Sequence, residues 1–348
     1  MMVPGVLYNL TTFLTVNPSR PPLSSPSYHC RCSQIGVQKE LQTKKFSKQR
    51  GGNIYIYSSS SSRSKRLVCN GTPTPKAKNT LQQKEEEEEE EGRNDVLRLI
   101  LWTTEAVYIL WLFLLPYAPG DPVWAISSDT INSIVGLSLN FFFVLPLMNF
   151  VGIHVLEAPV LHPMSEGLFN FVIGWTFMFA PLLFTDCKSN RYKGSLDVLW
   201  GFQMFLTNTF LIPYMAIRLN AADVEYTPKE PSKFGALMIK GAPVVGLVGG
   251  ATCLISTLWA LFGRMDGGFG TLSDRWDFLI SYLGSERLAY AFIWDIVLYM
   301  IFQPWLIGGN LQNVQYGKVD IVKRLRFIPV VGLAAYLISL DSDRALTE

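Results

Sequence analysis

Two carboxylates stand inside stretches that are otherwise apolar: Glu105, in the run that begins at Leu99, and Asp295, in the run Leu288–Gly309. A charged side chain at such a depth in a bilayer costs roughly 3 kcal/mol or more unless it is paired or hydrated, so ionisable groups there mark places for chemistry. If the helices carrying them touch, the two carboxyls can share a proton, and one is then held as a neutral acid able to protonate a substrate. The plainer reading is that each is hydrogen-bonded to neighbours such as Thr103, Tyr299 or Trp294. Asn140, Asn149, Gln203, Asn208 and Gln303 extend the polar interior and either position a ligand group or join helices.

A second constellation is compact. His154, Glu157, His162 and Glu166 fall within 13 residues, interrupted by Pro159 and Pro163. Imidazole with carboxylate suits zinc or iron, and His154 and Glu157 would share one helical face. The prolines break that helix, however, no His-Glu-x-x-His register exists and no cysteine completes a ligand set, so no metal site is expected. His154 and Glu166 remain acid–base candidates, set against the reading of the whole segment as a polar loop at headgroup level. The sequence has no paired Asp-rich box for a prenyl diphosphate, no multi-histidine set for a di-iron centre and no Walker loop. Redox and nucleotide-driven chemistry are therefore disfavoured, and no cofactor is expected.

The elements that must position these groups are helices in lipid. Ile131–Ile153, Gly167–Thr185 and Gly241–Gly263 contain no Asp, Glu, Lys, Arg or His. About 20 such residues cross the hydrocarbon layer as a helix, which satisfies its own backbone there. With Leu99–Ala118, Val198–Ile217, Leu288–Gly309 and a shorter Phe327–Leu340, the chain reads as an all-α, polytopic helical membrane protein with six or seven transmembrane helices. Leu272, Trp276, Leu279 and Leu283 recur at helical spacing behind a Thr271–Asp274 capping box, which predicts a short interfacial helix. Gly246 and Gly250 predict close packing of the fifth span inside the protein, in preference to dimerisation. Counting Lys and Arg by alternate loops gives a mild excess on the side that holds the N-terminus.

The first third differs in character. Residues 1–83 hold a single acidic residue, Glu40, among many Lys and Arg, with the run Ser58–Ser62. That composition predicts a chloroplast transit peptide over residues 1–69, with the mature chain starting near Asn70. The seven carboxylates Glu85–Glu91 predict an extended, disordered acidic linker over residues 70–95, leaving 96–348 as the transmembrane domain. Of five cysteines only Cys187 and Cys253 would remain, placed too differently to form a disulfide. A net charge of +2 gives no reason to expect a nucleic-acid partner.

Part of the chain resembles a known family. Ser285-Glu286-Arg287-Leu288-Ala289 with Ala291 and Ile293, an aspartate in the following helix, the Gly309-Asn310 loop and Pro329-Val330-Val331-Gly332 are similar to the C-terminal half of the plastid neoxanthin-synthase family linked to abscisic acid deficiency. Leu145-Pro146, Ala158-Pro159, Glu166 and Gly174 are similar to its first helix pair. This chain has extra spans, and its in-helix aspartate is offset from the family's. The resemblance implies a small multi-helix thylakoid or envelope protein needed to convert an epoxycarotenoid into an allenic one.

Three functional classes follow. In the first, a carotenoid or other isoprenoid sits between helices walled by Trp175, Trp200, Trp294 and Trp305 and undergoes cofactor-independent isomerisation, with Glu105, Asp295, His154 and Glu166 as the acids and bases. The second is a noncatalytic assembly factor or scaffold for photosynthetic membrane complexes. The third is a carrier for small solutes or ions. Membrane lipids are partners in all three, and the expected location is a chloroplast membrane, thylakoid or inner envelope.

Overall fold

The computed structural model describes residues 75–221, 231–265 and 267–347, with side chains from 88 to 346. The predicted transit segment 1–69 lies outside the described residues. The fold is all-α, 75% helical with no strand among the described residues. The helices are α1 (Pro75–Ile109, continued by a π turn Leu110–Leu114), α2 (Ser128–Leu139), α3 (Val144–Phe150), α4 (Pro163–Phe184), α5 (Leu196–Leu206), α6 (Asn208–Ile217) and α7 (Lys233–Lys240). They continue with α8 (Ala242–Phe262), α9 (Leu272–Ser285), α10 (Arg287–Gly309), α11 (Val319–Leu325), α12 (Val331–Ile338) and α13 (Ser342–Thr347). Five segments are long and apolar enough to cross a membrane: Glu88–Leu114, Ser128–Phe150, Pro163–Phe184, Ala242–Phe262 and Arg287–Gly309. The protein is membrane-embedded, with fewer such segments than the six or seven predicted.

α1 runs straight through Glu85–Glu91, where the charge run predicted an extended tether. Glutamate is a good helix former. Repulsion between glutamates four apart costs only about 0.2–0.5 kcal/mol per pair, too little to break a helix whose other half packs through Leu101, Tyr108 and Leu112.

Long-range contacts fasten the helix ends into two sets. At one end Arg98 donates to Asn220 (3.1 Å), Arg218 pairs with Asp186 (2.6 Å), the Cys187 amide donates to Asn310 (2.9 Å) and Ser342 donates to the Ile239 carbonyl (3.2 Å). We call this the Asp186 end. At the opposite, Arg287 end, Arg287 binds the carbonyls of Leu115 and Ala118, Arg264 pairs with Glu166 (3.2 Å), and Thr130 donates to Glu286 (3.3 Å). There too His162 stacks on Phe278, ring centroids 3.5 Å apart. Helices α1, α4, α8 and α10 each run from one end to the other. α4 and α8 lie antiparallel and close together: a side chain on Gly249 would strike Met178, and one on Gly167 would strike Ala260. Gly246 lies against Leu337 and Ala334 of α12, an internal contact as the Gly-x-x-x-Gly spacing predicts.

The remaining apolar segments enter and return. The predicted span Val198–Ile217 is two half-helices, broken at Thr207 with φ +40° and ψ −110°. Phe202 and Phe210 stack with centroids 5.2 Å apart; eight residues of continuous helix would separate them by about 12 Å. Arg191, before α5, donates to the Arg218 carbonyl after α6 (2.9 Å), so both feet of this hairpin stand at the Asp186 end. Ser128–Phe150 is likewise broken, at Phe142 and Phe143 (φ 53° and 55°). Its flanks, Thr130 and His162, are both fastened to the α9 region at the Arg287 end, through Glu286 and Phe278. The third case is Phe327–Leu340, in which only Val331–Ile338 is α-helical. Gln303 of α10 donates to the carbonyls of Arg326 and Ile328, both at 2.9 Å, and the chain is back beside Val314 by Leu340. Among the described residues, then, four helices run from one end to the other and three hairpins return to the end they started from.

This connectivity changes the charge count. Every Lys and Arg among the described residues from Arg93 onward lies at the Asp186 end, except Arg264, Arg275 and Arg287. Alternate-loop counting had put Lys188, Arg191, Lys193 and Arg344 on the other side. The bias now becomes strong, and it assigns the Asp186 end to the side from which membrane helices are inserted. The arginines at the other end are all engaged. Arg264 pairs with Glu166; Arg275, 1% exposed, donates to the carbonyls of Ala260 (3.1 Å) and Gly263 (2.6 Å) and so caps the C-terminus of α8. The predicted capping box at Thr271–Asp274 is present in α9, which leaves Leu272 and Trp276 exposed, as an interfacial helix should.

Cysteine labelling checks the connectivity. In a background without native cysteines, Val155→Cys and Gly268→Cys are expected to react with a membrane-impermeant maleimide from one side of sealed vesicles, and Asn190→Cys and Lys318→Cys from the other. Seven successive crossings would instead separate Val155 from Gly268 and Asn190 from Lys318.

Candidate proton site at the hairpin tip

The α5–α6 break carries three polar residues in a row, Thr207, Asn208 and Thr209. Irregular backbone at membrane depth persists only where protein or water covers its polar groups, and this tip is covered by α1 and α10. Asp295, 2% exposed near the middle of α10, receives it. Its Oδ1 accepts from Thr207 Oγ1 (2.7 Å), Asn208 Nδ2 (2.7 Å) and the Tyr108 hydroxyl of α1 (2.9 Å). All three donors converge on that one oxygen, and among the described residues no hydrogen bond goes to Oδ2. One oxygen is thus saturated by fixed donors while the other stays open for a proton or a cation.

The surroundings are polar and under-satisfied. Asn208 Oδ1, Thr209 Oγ1 and Glu105 Oε2 have no partner among the described residues. Gln203, fully buried beside the Tyr299 hydroxyl, has neither amide atom in a well-formed hydrogen bond. Tyr299 is held by Thr176 (2.6 Å), and Trp175 by Gln303 (3.0 Å). Buried polar atoms cost about 1–3 kcal/mol each when left unpaired, so such a cluster is a place where water, an ion or a substrate group is accommodated.

The predicted sharing of a proton between Glu105 and Asp295 is not what the helices arrange. The two face α6 from different helices, but it is Tyr108, one turn beyond Glu105 on the same buried stripe of α1, that reaches Asp295. Glu105 stays buried and alone at Oε2. Thr103 and Trp294 are not the partners of either acid, and Trp294 is 41% exposed.

Glu166 and His154 are also kept apart. Glu166, completely buried in the first turn of α4, is gripped by Arg264 at both oxygens (3.2 and 3.3 Å), by the Trp259 indole (2.8 Å) and by the Asn140 amide. With both oxygens committed, it fastens α8 and the α2–α3 break to α4. His154 is exposed in the loop after α3, a loop pinned by Asn149 through the Ala158 amide (2.6 Å) and the Leu156 carbonyl (2.8 Å). His162 caps α4 by accepting from the Met164 amide (3.2 Å); burial and the nearby Arg275 lower its imidazole to about 4. Among the described residues no group of three His, Cys, Asp or Glu could hold a metal ion. Nor do the four predicted tryptophans wall one slot. Trp175 is core, Trp200 lies against Phe234 (5.2 Å), Trp294 faces outward and Trp305 lines a separate groove.

A further constellation had no expectation attached to it. Asp186, just past α4, takes two hydrogen bonds from Arg218 (2.6 and 2.9 Å), one from the Tyr214 hydroxyl (2.6 Å) and one from Asn310 (3.0 Å). Burial alone would raise its carboxyl, but Arg218 and these donors outweigh that and hold it below the ordinary carboxylate value. The pair is 0% and 2% exposed and ties the ends of α4, α6 and α10 together. The visible signal for it was a lone Asp and a lone Arg flanking apolar runs, which continuous spans would place on opposite sides of the membrane.

No protein-family model matches the chain, and neither does any curated protein or solved structure.

Proposed function

We propose that this is a proton-linked membrane carrier in which Asp295 binds and releases the proton. One observation carries the reading: a re-entrant helical hairpin delivers Thr207 and Asn208 to Oδ1 of a carboxyl at mid-membrane and leaves Oδ2 open. Discontinuous helices that meet an ionisable group near the bilayer midplane are how carriers build coupling sites. Here the open oxygen takes a proton, Gln203, Asn208 and Thr209 offer polar atoms to a small solute, and movement of the hairpin exposes the site to one end at a time. The transit-type composition of residues 1–69 supports placing this carrier in a plastid membrane.

In proteoliposomes with an entrapped pH dye, external pools of small organic acids, amines and sugars are expected to drive proton movement. Asp295→Asn should reduce it at least tenfold at equal protein incorporation, and Thr207→Val should slow it. The carrier reading is lost if wild-type protein moves no protons with any pool, or if Asp295→Asn matches wild type.

The second reading, acid–base isomerisation of a carotenoid or other isoprenoid, is favoured by the aromatic setting of the same carboxyl, beside Tyr108 and Tyr299, and by the resemblance to the neoxanthin-synthase family. An altered pigment profile in a plant carrying Asp295→Asn, with no proton movement by the wild-type protein, would select it.

A further inference from the structure

A groove of about 370 Å³ runs along the outer face of α10 to the Asp186 end, lined by Ile301, Pro304, Trp305, Gly308, Arg326 and Phe327. The volume lies in the range of small-ligand sites. Its walls face the lipid: Ile301 is 47% and Phe327 64% exposed. Its chemistry is graded along its length, since only apolar side chains line it at Ile301 and Pro304, while a guanidinium stands at Gly308.

That guanidinium is unusual in this fold. Arg98, Arg191, Arg218, Arg264, Arg275 and Arg287 are all engaged with carboxylates or carbonyls. Arg326 makes no ion pair among the described residues, its Nε is buried without a partner, and its head lies 4.6 Å from the Phe327 ring. Gly308 is the reason it fits, because a methyl group there would lie 2.2 Å from Arg326 Nη1. The loop carrying Arg326 is fixed by Gln303 through the Arg326 and Ile328 carbonyls, so the charge is presented by rigid backbone. Lys323 and Arg324, both exposed on α11, add positive potential at the same level.

We propose that this groove holds one anionic membrane lipid, its phosphate diester on Arg326 and its acyl chain along Pro304 and Ile301 towards the bilayer centre. A guanidinium offers a fork to a phosphate that an ammonium does not, and the lateral opening makes the bilayer the source of the occupant. The site is separate from Asp295 and does not depend on the carrier reading.

Native mass spectrometry of the full chain released from detergent, with added phosphatidylglycerol or phosphatidylcholine, tests the assignment. Wild-type protein is expected to retain phosphatidylglycerol in preference to phosphatidylcholine. Arg326→Gln should lower that retention about tenfold, the loss of one charged hydrogen-bonding partner, and Arg326→Lys should fall between. Thermal melting without lipid shows whether each variant is folded. Equal retention of the two lipids by wild-type protein overturns the proposal without recourse to any variant. So does equal retention of phosphatidylglycerol by folded Arg326→Gln, and so does displacement of the lipid by inorganic phosphate, which would make the site one for a free anion.

Discussion

Asp186→Leu is expected to cost about 3–5 kcal/mol, the penalty for leaving a buried partner charge uncompensated. Arg218 is 2% exposed and directs Nε and Nη2 at the two Asp186 oxygens. Leucine leaves both donors facing protein, together with the Tyr214 hydroxyl and the Asn310 amide that also end on Asp186. Because the carboxyl ties α4 to the feet of the α5–α6 hairpin and α10, the loss should appear as cooperative unfolding at lower denaturant. A titration of sodium dodecyl sulfate into neutral-detergent micelles, followed by tryptophan fluorescence, measures it. The double variant Asp186→Leu/Arg218→Leu should recover a large part of the loss, since two apolar side chains replace two charges. A single variant as stable as wild type would mean that the pair is hydrated and the hairpin feet are held elsewhere.

Arg287→Leu should cost on the order of 3 kcal/mol or more, since hydrogen bonds to a charged group contribute about 1.5–3 kcal/mol each and are not additive. α1 ends in a π turn at Leu110–Leu114, which leaves carbonyls without helical partners. Arg287 collects them: Leu112, Leu115, Ala118 and Gly120 accept from its terminal nitrogens at 2.8–3.2 Å, and Pro119 accepts from Nε at 3.3 Å. Gly120 is required for the fit, because at φ +75° any side chain would lie 2.5 Å from the Arg287 amide. Arg287→Lys should recover only part, since an ammonium has three donors and no planar fork. Faster hydrogen exchange at residues 112–120 in Arg287→Leu is the local readout, and unchanged exchange there would rule out this role.

The apolar runs made the helical class legible, and the Thr271–Asp274 box, the interfacial face of α9 and the inward use of Gly246 were legible for the same reason: each is a local pattern with one physical meaning. Connectivity was not, because a run such as Val198–Ile217 has the length and hydropathy of a crossing whether it continues or doubles back. The difference lies in Thr207, whose left-handed backbone is costly for a β-branched residue and is sustained only by tertiary contacts. The candidate site was half legible. Asp295 stood out as an acid in an apolar run, while its partners Tyr108 and Thr207 read as ordinary helix residues until the hairpin brought them together. The pairing of Glu166 was not legible because its countercharge, Arg264, is 98 residues away.

The return of three hairpins to the side they came from bears on biogenesis. Among the described residues only two connections lie at the far side, the stretch between α1 and α4 and the short one between α8 and α10. Neither carries a lysine, and the arginines that travel with them, Arg264, Arg275 and Arg287, are masked on arrival by Glu166 and by backbone carbonyls. Ammonium groups are left behind, on the side that holds Lys188, Lys240 and Lys318.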